Sequence, residues 1–400
     1  MSDSLKYVPF SELAHVNPGT QLPARGECTF LSMSDVTDDG KVSSSQVRDV
    51  RGSGGYTPFR DQDILFAKIT PCMENGKGAL VENLVSGCGF GSTEFHVLRA
   101  GGLSDSRFIA QWAQSRLLRQ KAEAFMVGSA GQRRVPSAFF SHFNVPFLSL
   151  AEQRRIADLL DAMDESIGAS SDCLKKLSLA KDGLVSYLFF DVLDGRRGPL
   201  IGVADVASGV TLGGSIVGVG GKFPCITVAN VQDGHLDLNE VKEIFLPASA
   251  AARYTLRPGD FLMTEGGDFD KLGRGTVWRG EIEDCLYQNH IFRIRCDQSR
   301  MLPEFLSIYS ASWYGKNYFR LASKQSTNLA SINSTQVKSF PVPLVSLEEQ
   351  RRIVSIVQAH DERIAAEKAR LEKLRKLKAG LMDDLLTGRV RVNQLDELPV

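Results

Sequence analysis

"VPFLSLAEQRRI" occupies residues 145–156 and "VPLVSLEEQRRI" occupies residues 342–353, so the chain makes nearly the same statement twice, 197 positions apart. Sliding the 400-residue sequence against itself by that shift extends the match downstream. Ala162, Asp164, Glu165 and Ile167 recur as Ala359, Asp361, Glu362 and Ile364. Leu174, Lys176 and Leu177 recur as Leu371, Lys373 and Leu374, and Gly183, Leu184 and Leu188 as Gly380, Leu381 and Leu385. Upstream mainly the apolar pattern survives: "FRDQDILF" (59–66) aligns with "LRPGDFLM" (256–263), "GKGAL" (76–80) with "GRGTV" (273–277) and "STEFHVLR" (92–99) with "NHIFRIRC" (289–296). The chain is a tandem duplication in which one part stayed constant and the other varied.

The constant part reads as a helix. Ser149 and Ser346 each stand three residues before a glutamate, Glu152 and Glu349, the pattern of a capping box, and Pro146 and Pro343 disfavour helix just upstream. Apolar residues then recur at heptad spacing: Ile156, Leu160, Met163, Ile167, Leu174, Leu177, Leu184 and Leu188, interrupted at Ser170 and Lys181. The second stripe is Ile353, Val357, Ile364, Leu371, Leu374, Leu381 and Leu385, interrupted at His360, Glu367 and Lys378. Ends at Gly195 and Gly388 predict helices of about 40 residues, roughly 60 Å long. A stripe that long needs a partner, and the other copy is the obvious one. The short connector "DGRRGP" (194–199) makes the two helices antiparallel, which predicts a dumbbell with a pseudo-two-fold axis.

The variable segments read as α+β. Short β-branched and aromatic runs such as "FLSMSDV" (30–36), "DILFAKI" (63–69), "FPCITVANV" (223–231) and "HIFRIRC" (290–296) precede one helical stretch in each copy, "RFIAQWAQSRLLRQKAEAF" (107–125) and "PEFLSIYSASWYGKNYF" (303–319). After that stretch come the polar segments "VGSAGQRRVPS" (127–137) and "SKQSTNLASINS" (323–334), rich in groups that hydrogen-bond bases or phosphates. The predicted division is 1–147 and 196–344 for the two α+β domains, 148–195 and 345–392 for the helical spacer regions, and 393–400 for a tail.

Composition narrows the function. Hydrophobic residues make up 43%, no apolar run reaches membrane-spanning length, and "MSDSLKYVPF" does not read as a secretory signal, so a cytoplasmic protein is expected. The seven cysteines form no C-x-x-C pair and read as buried thiols. Lys plus Arg equals Asp plus Glu, 47 against 47, so no global field draws a polyanion. Locally, 107–134 carries six bases against Glu123, and 293–324 six against Asp297 and Glu304. No Walker loop, H-E-x-x-H, G-x-S-x-G or N-P-P-[YF] motif occurs. "GCGFG" (87–91) reads as a turn, and "TEGGDFDK" (264–271), with Glu265, Asp268 and Asp270, as a solvated or recognition loop rather than a metal site.

The two constant segments, with the ending "LKAGLMDDLLTGRVRV" (377–392), resemble the specificity subunit of type I restriction–modification systems over the full chain. The resemblance implies two target-recognition α+β domains in tandem duplication, separated by two long antiparallel helices forming a coiled-coil spacer. Each domain would read one half of an asymmetric bipartite site in double-stranded DNA. The chain itself would be non-catalytic and carry no cofactor. Two methyltransferase subunits, which supply S-adenosylmethionine, and endonuclease/translocase subunits would dock on it. "YLFFDVLDG" (187–195) departs from the second copy by about a turn of helix.

Residue type, loop position and equivalence under the shift mark Lys68, Ser92, Thr93, Gln132, Arg133 and Arg134 as DNA-contact candidates in the first domain. Lys271, Arg274, Asn289, His290, Lys324, Gln325, Thr327 and Asn328 are those of the second. Gln153, Arg154, Gln350 and Arg351 lie off the apolar seam and are candidates for partner contact. A coiled-coil adaptor without DNA recognition, or a self-contained DNA-modifying enzyme, are the competing readings.

Overall fold

Both constant segments open a helix at the serine that the capping pattern marks. The computed structural model describes residues 5–129, 131–193, 195–211, 220–267, 272–325 and 330–392. Helix Leu150–Leu193 starts after Ser149, whose Oγ accepts from the Glu152 N–H at 3.3 Å, and helix Leu347–Leu386 starts after Ser346, whose Oγ accepts from the Glu349 N–H at 3.2 Å. The return half of the capping box is replaced by ion pairs. Arg391 donates to the Glu152 carboxylate at 2.6 Å and Arg352 to that of Glu349 at 2.6 Å. A guanidinium outbids a neutral backbone N–H for a carboxylate.

The chain divides into two compact units, residues 5–172 with 369–392 and residues 173–368. Each unit holds one α+β domain and one half of each long helix. In the first unit the helical halves run antiparallel, as the Asp164–Lys378 ion pair at 2.6 Å and the Glu152–Arg391 pair require. In the second unit Lys181 pairs with Asp361, and Arg352 lies within electrostatic reach of Tyr187. Lys181 and Lys378 are equivalent under the shift, as are Asp164 and Asp361. The two lysines that interrupt the apolar stripe therefore bind across to the other helix, where a polar seam position specifies register.

The stripe has two kinds of cover. At the helix ends it joins a domain core: Ile156, Leu160 and Leu385 pack with Phe108, Trp112 and Phe140, while Leu188, Ile353 and Val357 pack with Phe305, Tyr309 and Phe340. Midway, Met163, Ile167, Leu174, Leu177, Ile364 and Leu374 are only half buried. A fully buried aliphatic side chain contributes about 1.5–3 kcal/mol, so the domain-embedded ends anchor the helices.

Within each domain the same sheet recurs. Strands Ala14–Val16, Phe95–Ala100, Asp63–Ala67 and Gly78–Leu80 pair antiparallel in that order, matched by Ala204–Ser208, Ile291–Cys296, Asp260–Thr264 and Gly275–Val277. A second sheet pairs Gln46–Asp49 antiparallel and Cys88–Gly91 parallel to the strand Glu27–Leu31, with Thr57–Arg60 on the far edge. Its counterpart pairs Lys242–Leu246 and Leu286–Tyr287 with Gly221–Ile226. The second domain has the helix Ala248–Tyr254 before its central strand, where the first has the strand Thr57–Arg60.

Three local expectations are corrected. Each helical stretch is two helices, Ser106–Gln114 and Arg116–Ala124, then Pro303–Ala311 and Trp313–Ala322, because Ser115 and Ser312 cap the second of each pair. The strand in "FLSMSDV" ends at Leu31. "GCGFG" is a central strand rather than a turn: a Cβ on Gly89 would lie 2.4 Å from the Phe59 ring, and one on Gly91 2.1 Å from the Leu31 oxygen. Close backbone approach, not a bend, explains these glycines.

Two outcomes are expected. Lys378→Glu sets like charge against Asp164 and lowers stability by about 1–3 kcal/mol, between exposed and buried pairs, and adding Asp164→Lys restores most of it in urea denaturation. Buried His96 makes contacts from both ring nitrogens, to the Val135 carbonyl at 2.8 Å and the Asn17 amide at 3.0 Å. Desolvation lowers its pKa from 6.5 against the Val135 hydrogen bond, which raises it, with Lys68 adding to the shift and Glu94 opposing it. The unfolded chain therefore binds the proton first, so stability is lost as pH falls below 6.5. The variant His96→Gln should show a shallower loss of melting temperature between neutral and mildly acidic pH.

Candidate nucleic-acid interface

A buried amide joins each domain to its helix. The Gln153 Oε1 accepts from the Asp105 N–H at 3.0 Å, and its Nε2 donates to the Leu103 and Leu148 carbonyls at 3.1 and 2.9 Å. Gln350 repeats this with the Leu302 N–H at 2.8 Å and the Arg300 and Val345 carbonyls at 2.8 and 3.0 Å. Every atom of the set is equivalent under the 197 shift. Both glutamines are 0% exposed, which corrects the expectation that they meet a partner. Arg154 and Arg351 are exposed, and Arg154 lies 3.6 Å from Asp105.

From that joint the chain builds a rim at one end of the main sheet. In the first domain the Lys68 N–H donates to the Glu94 carbonyl at 2.9 Å, the Val135 N–H to the Lys68 carbonyl at 2.9 Å and the Thr70 N–H to the Arg133 carbonyl at 3.0 Å. Segments 68–70, 92–94 and 127–135 are thereby laced together. In the second domain the Glu265 N–H donates to the His290 carbonyl at 2.9 Å and the Ile332 N–H to the Glu265 carbonyl at 2.8 Å. Gly266–Gly267 pairs with Ala330–Ser331, which pairs with Lys324–Gln325. The bond from 135 to 68 recurs as that from 332 to 265, the bond from 68 to 94 recurs one residue earlier, and the side chains differ.

The structure brings Lys68, Ser92, Thr93, Gln132, Arg133 and Arg134 to the first rim. Thr93 and Gln132 are exposed, Ser92 Oγ accepts from the Glu94 N–H at 3.2 Å, and Arg133 donates to the Glu123 carbonyl at 2.7 Å. Arg134 grips the Glu94 carboxylate with two nitrogens, at 2.9 and 2.8 Å, and this bond holds the carboxyl below its usual range. In the second rim His290 is exposed and meets Glu265 at 2.6 Å, and the Asn289 N–H donates to the Val210 carbonyl at 2.8 Å. Lys324 and Gln325 lie in the rim strand. Lys271, Thr327 and Asn328 fall outside the described residues, as do Asp268 and Asp270.

Arg274 is a correction. Its guanidinium donates inward, to Gln232 at 3.0 Å and to the Val228 carbonyl, and the equivalent Lys77 binds the Met33 and Val36 carbonyls. Several cations of the basic runs are likewise already partnered within their domains. Arg107 pairs with Asp158, Arg295 with Asp260 and Lys316 with Asp233, while Arg119 is buried over Phe66 and binds the carbonyls of Ala113, Met73 and Gly76. Burial pulls the Arg119 guanidinium down to about 9. Glu94 and Arg119 escaped the sequence reading because each is defined by a partner remote in sequence, and Glu265, read there as part of a solvated or recognition loop, finds its partner in His290. Among the described residues no cluster of potential metal ligands occurs, and no helix is long and apolar enough to cross a membrane.

Two α+β domains with alike rims, each buckled to the helical halves of its own unit, define a duplicated architecture. A family model described as the type I restriction modification DNA specificity domain matches residues 272–376. The chain is 33% identical over 162 residues to the type I restriction enzyme EcoEI specificity subunit of Escherichia coli, covering 39% of this chain and 27% of that one. Against the EcoKI specificity subunit of Escherichia coli K12 it is 25% identical over 320 residues, covering 73% and 68%. The match thus spans about a quarter of the EcoEI relative. A chain from a study of assembly and conformational transition in a type I R-M system superposes with TM-score 0.64 at 19% identity over 98% of this chain and 99% of that one. The HsdS subunit of Thermoanaerobacter tengcongensis gives 0.52 at 20% identity over 98% of both. Part of this chain is thus similar to type I restriction enzyme specificity subunits, and the likeness over the whole chain is one of fold.

Gln153→Leu strands the Asp105 N–H and the Leu148 carbonyl, so a loss of about 2–4 kcal/mol is expected in chemical denaturation. Arg154→Ala, one residue on, should stay within about 0.5 kcal/mol of the parent.

Proposed function

We propose that the chain reads an asymmetric bipartite sequence in double-stranded DNA, one half-site per domain, for a type I restriction–modification complex. The observation that carries this is the pair of rims: identical backbone lacing at 68/135 and 265/332 presents different side chains. Like scaffolds place the two readers alike, and unlike side chains select unlike bases. Arg134 is the first domain's strongest base or phosphate reader. Its fork is held by Glu94 in the free protein and must exchange partners to reach a guanine edge. Thr93 and Gln132 flank it, and Asn289 and His290 take the corresponding role in the second domain.

The chain performs no chemistry in this proposal. Two methyltransferase subunits, carrying S-adenosylmethionine, and endonuclease/translocase subunits dock on it in the cytoplasm, with Arg154 and Arg351 on the exposed helix faces as contact candidates. Net charge zero fits a subunit that supplies base contacts while its partners neutralise phosphates.

Cells expressing the chain with its methyltransferase partner should gain an adenine mark in a split motif with a constant gap, absent from cells with the partner alone. Arg134→Ala should relax only one half of that motif. A complex that assembles and leaves no new mark would sink the proposal.

A further inference from the structure

Cys28 and Cys88 lie side by side in the second sheet of the first domain, with sulfur atoms 3.3 Å apart. They sit on adjacent parallel strands, one rung before the Thr29–Gly89 pair, and share one small core with Phe30 and Phe90. Under the 197 shift both positions are cysteine again, as Cys225 and Cys285. Two cysteines thus recur inside segments that otherwise keep mainly an apolar pattern, although valine or alanine would fill a buried strand position as well.

The second copy is not a second pair. There the parallel pairing joins Cys225 to Leu286 and Ile226 to Tyr287, a slip of one residue relative to the first copy. A slip of one turns a side chain to the opposite face of the sheet. Cys285 accordingly packs with Trp278 and Ile291, while Cys225 packs with Leu246 and Ala251 in a different core. Each thiol is directed at a neighbouring carbonyl, Cys225 at Ile226 and Cys285 at Leu286.

We propose that Cys28 and Cys88 are a reversible disulfide-forming pair, a modification site of the first domain that the second carries in sequence but not in geometry. A bond of about 2.05 Å needs the sulfurs to close by little more than 1 Å, roughly, and the adjacent-strand position supplies the short reach a disulfide requires. The oxidant is a hydroperoxide. Cys88, 7% exposed against 0% for Cys28, is the entry point: its sulfur takes one oxygen of hydrogen peroxide, giving a sulfenic acid and releasing water. The Cys28 sulfur then attacks the Cys88 sulfur, the S–S bond forms, and the hydroxyl leaves with the Cys28 proton as a second water. Two thiols and one peroxide become one disulfide and two waters.

Burial, with the Cys88 hydrogen bond adding to it, pushes the Cys28 thiol up to about 11. The reaction is therefore slower than oxidation of the exposed Cys173, and faster at alkaline pH. Its consequence lies at the rim. The two tied strands run to Leu31 and Gly91, and the next residue, Ser92, donates its N–H to the Leu31 carbonyl at 3.1 Å. The bond would tether the base of the turn that presents Thr93, in one domain only.

The test treats the purified full-length chain with hydrogen peroxide, then denatures it, alkylates free thiols and maps peptides by mass spectrometry. The expected product links the Cys28 and Cys88 peptides, two hydrogens lighter than their sum, and is released by dithiothreitol, while Cys225 and Cys285 are recovered alkylated. Cys88→Ser abolishes the link; if that variant fails to fold, the parent chain's map decides alone. Recovery of Cys28 and Cys88 both alkylated once Cys173 is fully oxidised overturns the proposal, and so does a Cys225–Cys285 link in equal yield. No DNA enters the assay, so its failure leaves the reading of DNA untouched, and the reverse.

Discussion

One buried amide carries the joint between reader and spacer. A helix N-terminus and the loop before another helix both expose backbone groups that must find partners, and a single glutamine side chain satisfies both sides at once. Gln153 binds Leu148 in its own approach segment and Leu103 and Asp105 in the loop ahead of helix Ser106–Gln114. Because Gln350 does the same with Val345, Arg300 and Leu302, the joint has one geometry in both units. The neighbouring loops and sheets could diverge around it. That is a physical reason for "EQRR" to persist where the domains kept only their apolar pattern.

The long helices follow a similar economy. Their ends are roofed by a domain core and need only apolar side chains, whereas the middle stays half wet. In that thinner seam, apolar contacts alone would tolerate sliding. Lys181 with Asp361 and Lys378 with Asp164 remove that freedom within each unit, since a displaced register would leave a partly buried charge without its counterion.

Much of this was legible from the repeat. The capping serines, the heptad stripe and the α+β order of the variable halves all came from local patterns, which are decided by residues within a few positions of one another. The stripe's interruptions were legible only as gaps, because a lysine in a seam has meaning once its aspartate, some 200 residues away in sequence by roughly the repeat spacing, is brought opposite it. Gln153 was misplaced for the same reason. Its spacing puts it off the apolar seam, and only the folded loop at 103–105 shows that off-seam is still inside. Arg274 erred in the opposite direction, toward function, since residue type and loop position cannot show that Gln232 and the Val228 carbonyl already hold its guanidinium.

By itself the sequence determined the duplication, the position of both helix starts, the α+β class of the domains and the apolar stripe of each long helix, because periodicity and capping act locally. The tertiary structure decided which polar groups face inward, which arginines stand at the rim and which are held inside, and which of two equivalent cysteine pairs is a pair. That last distinction turns on a one-residue difference in strand register, Thr29 with Gly89 against Cys225 with Leu286. Strand register is set by contacts across the sheet rather than along the chain, so no local reading of residues 28–88 or 225–285 contains it.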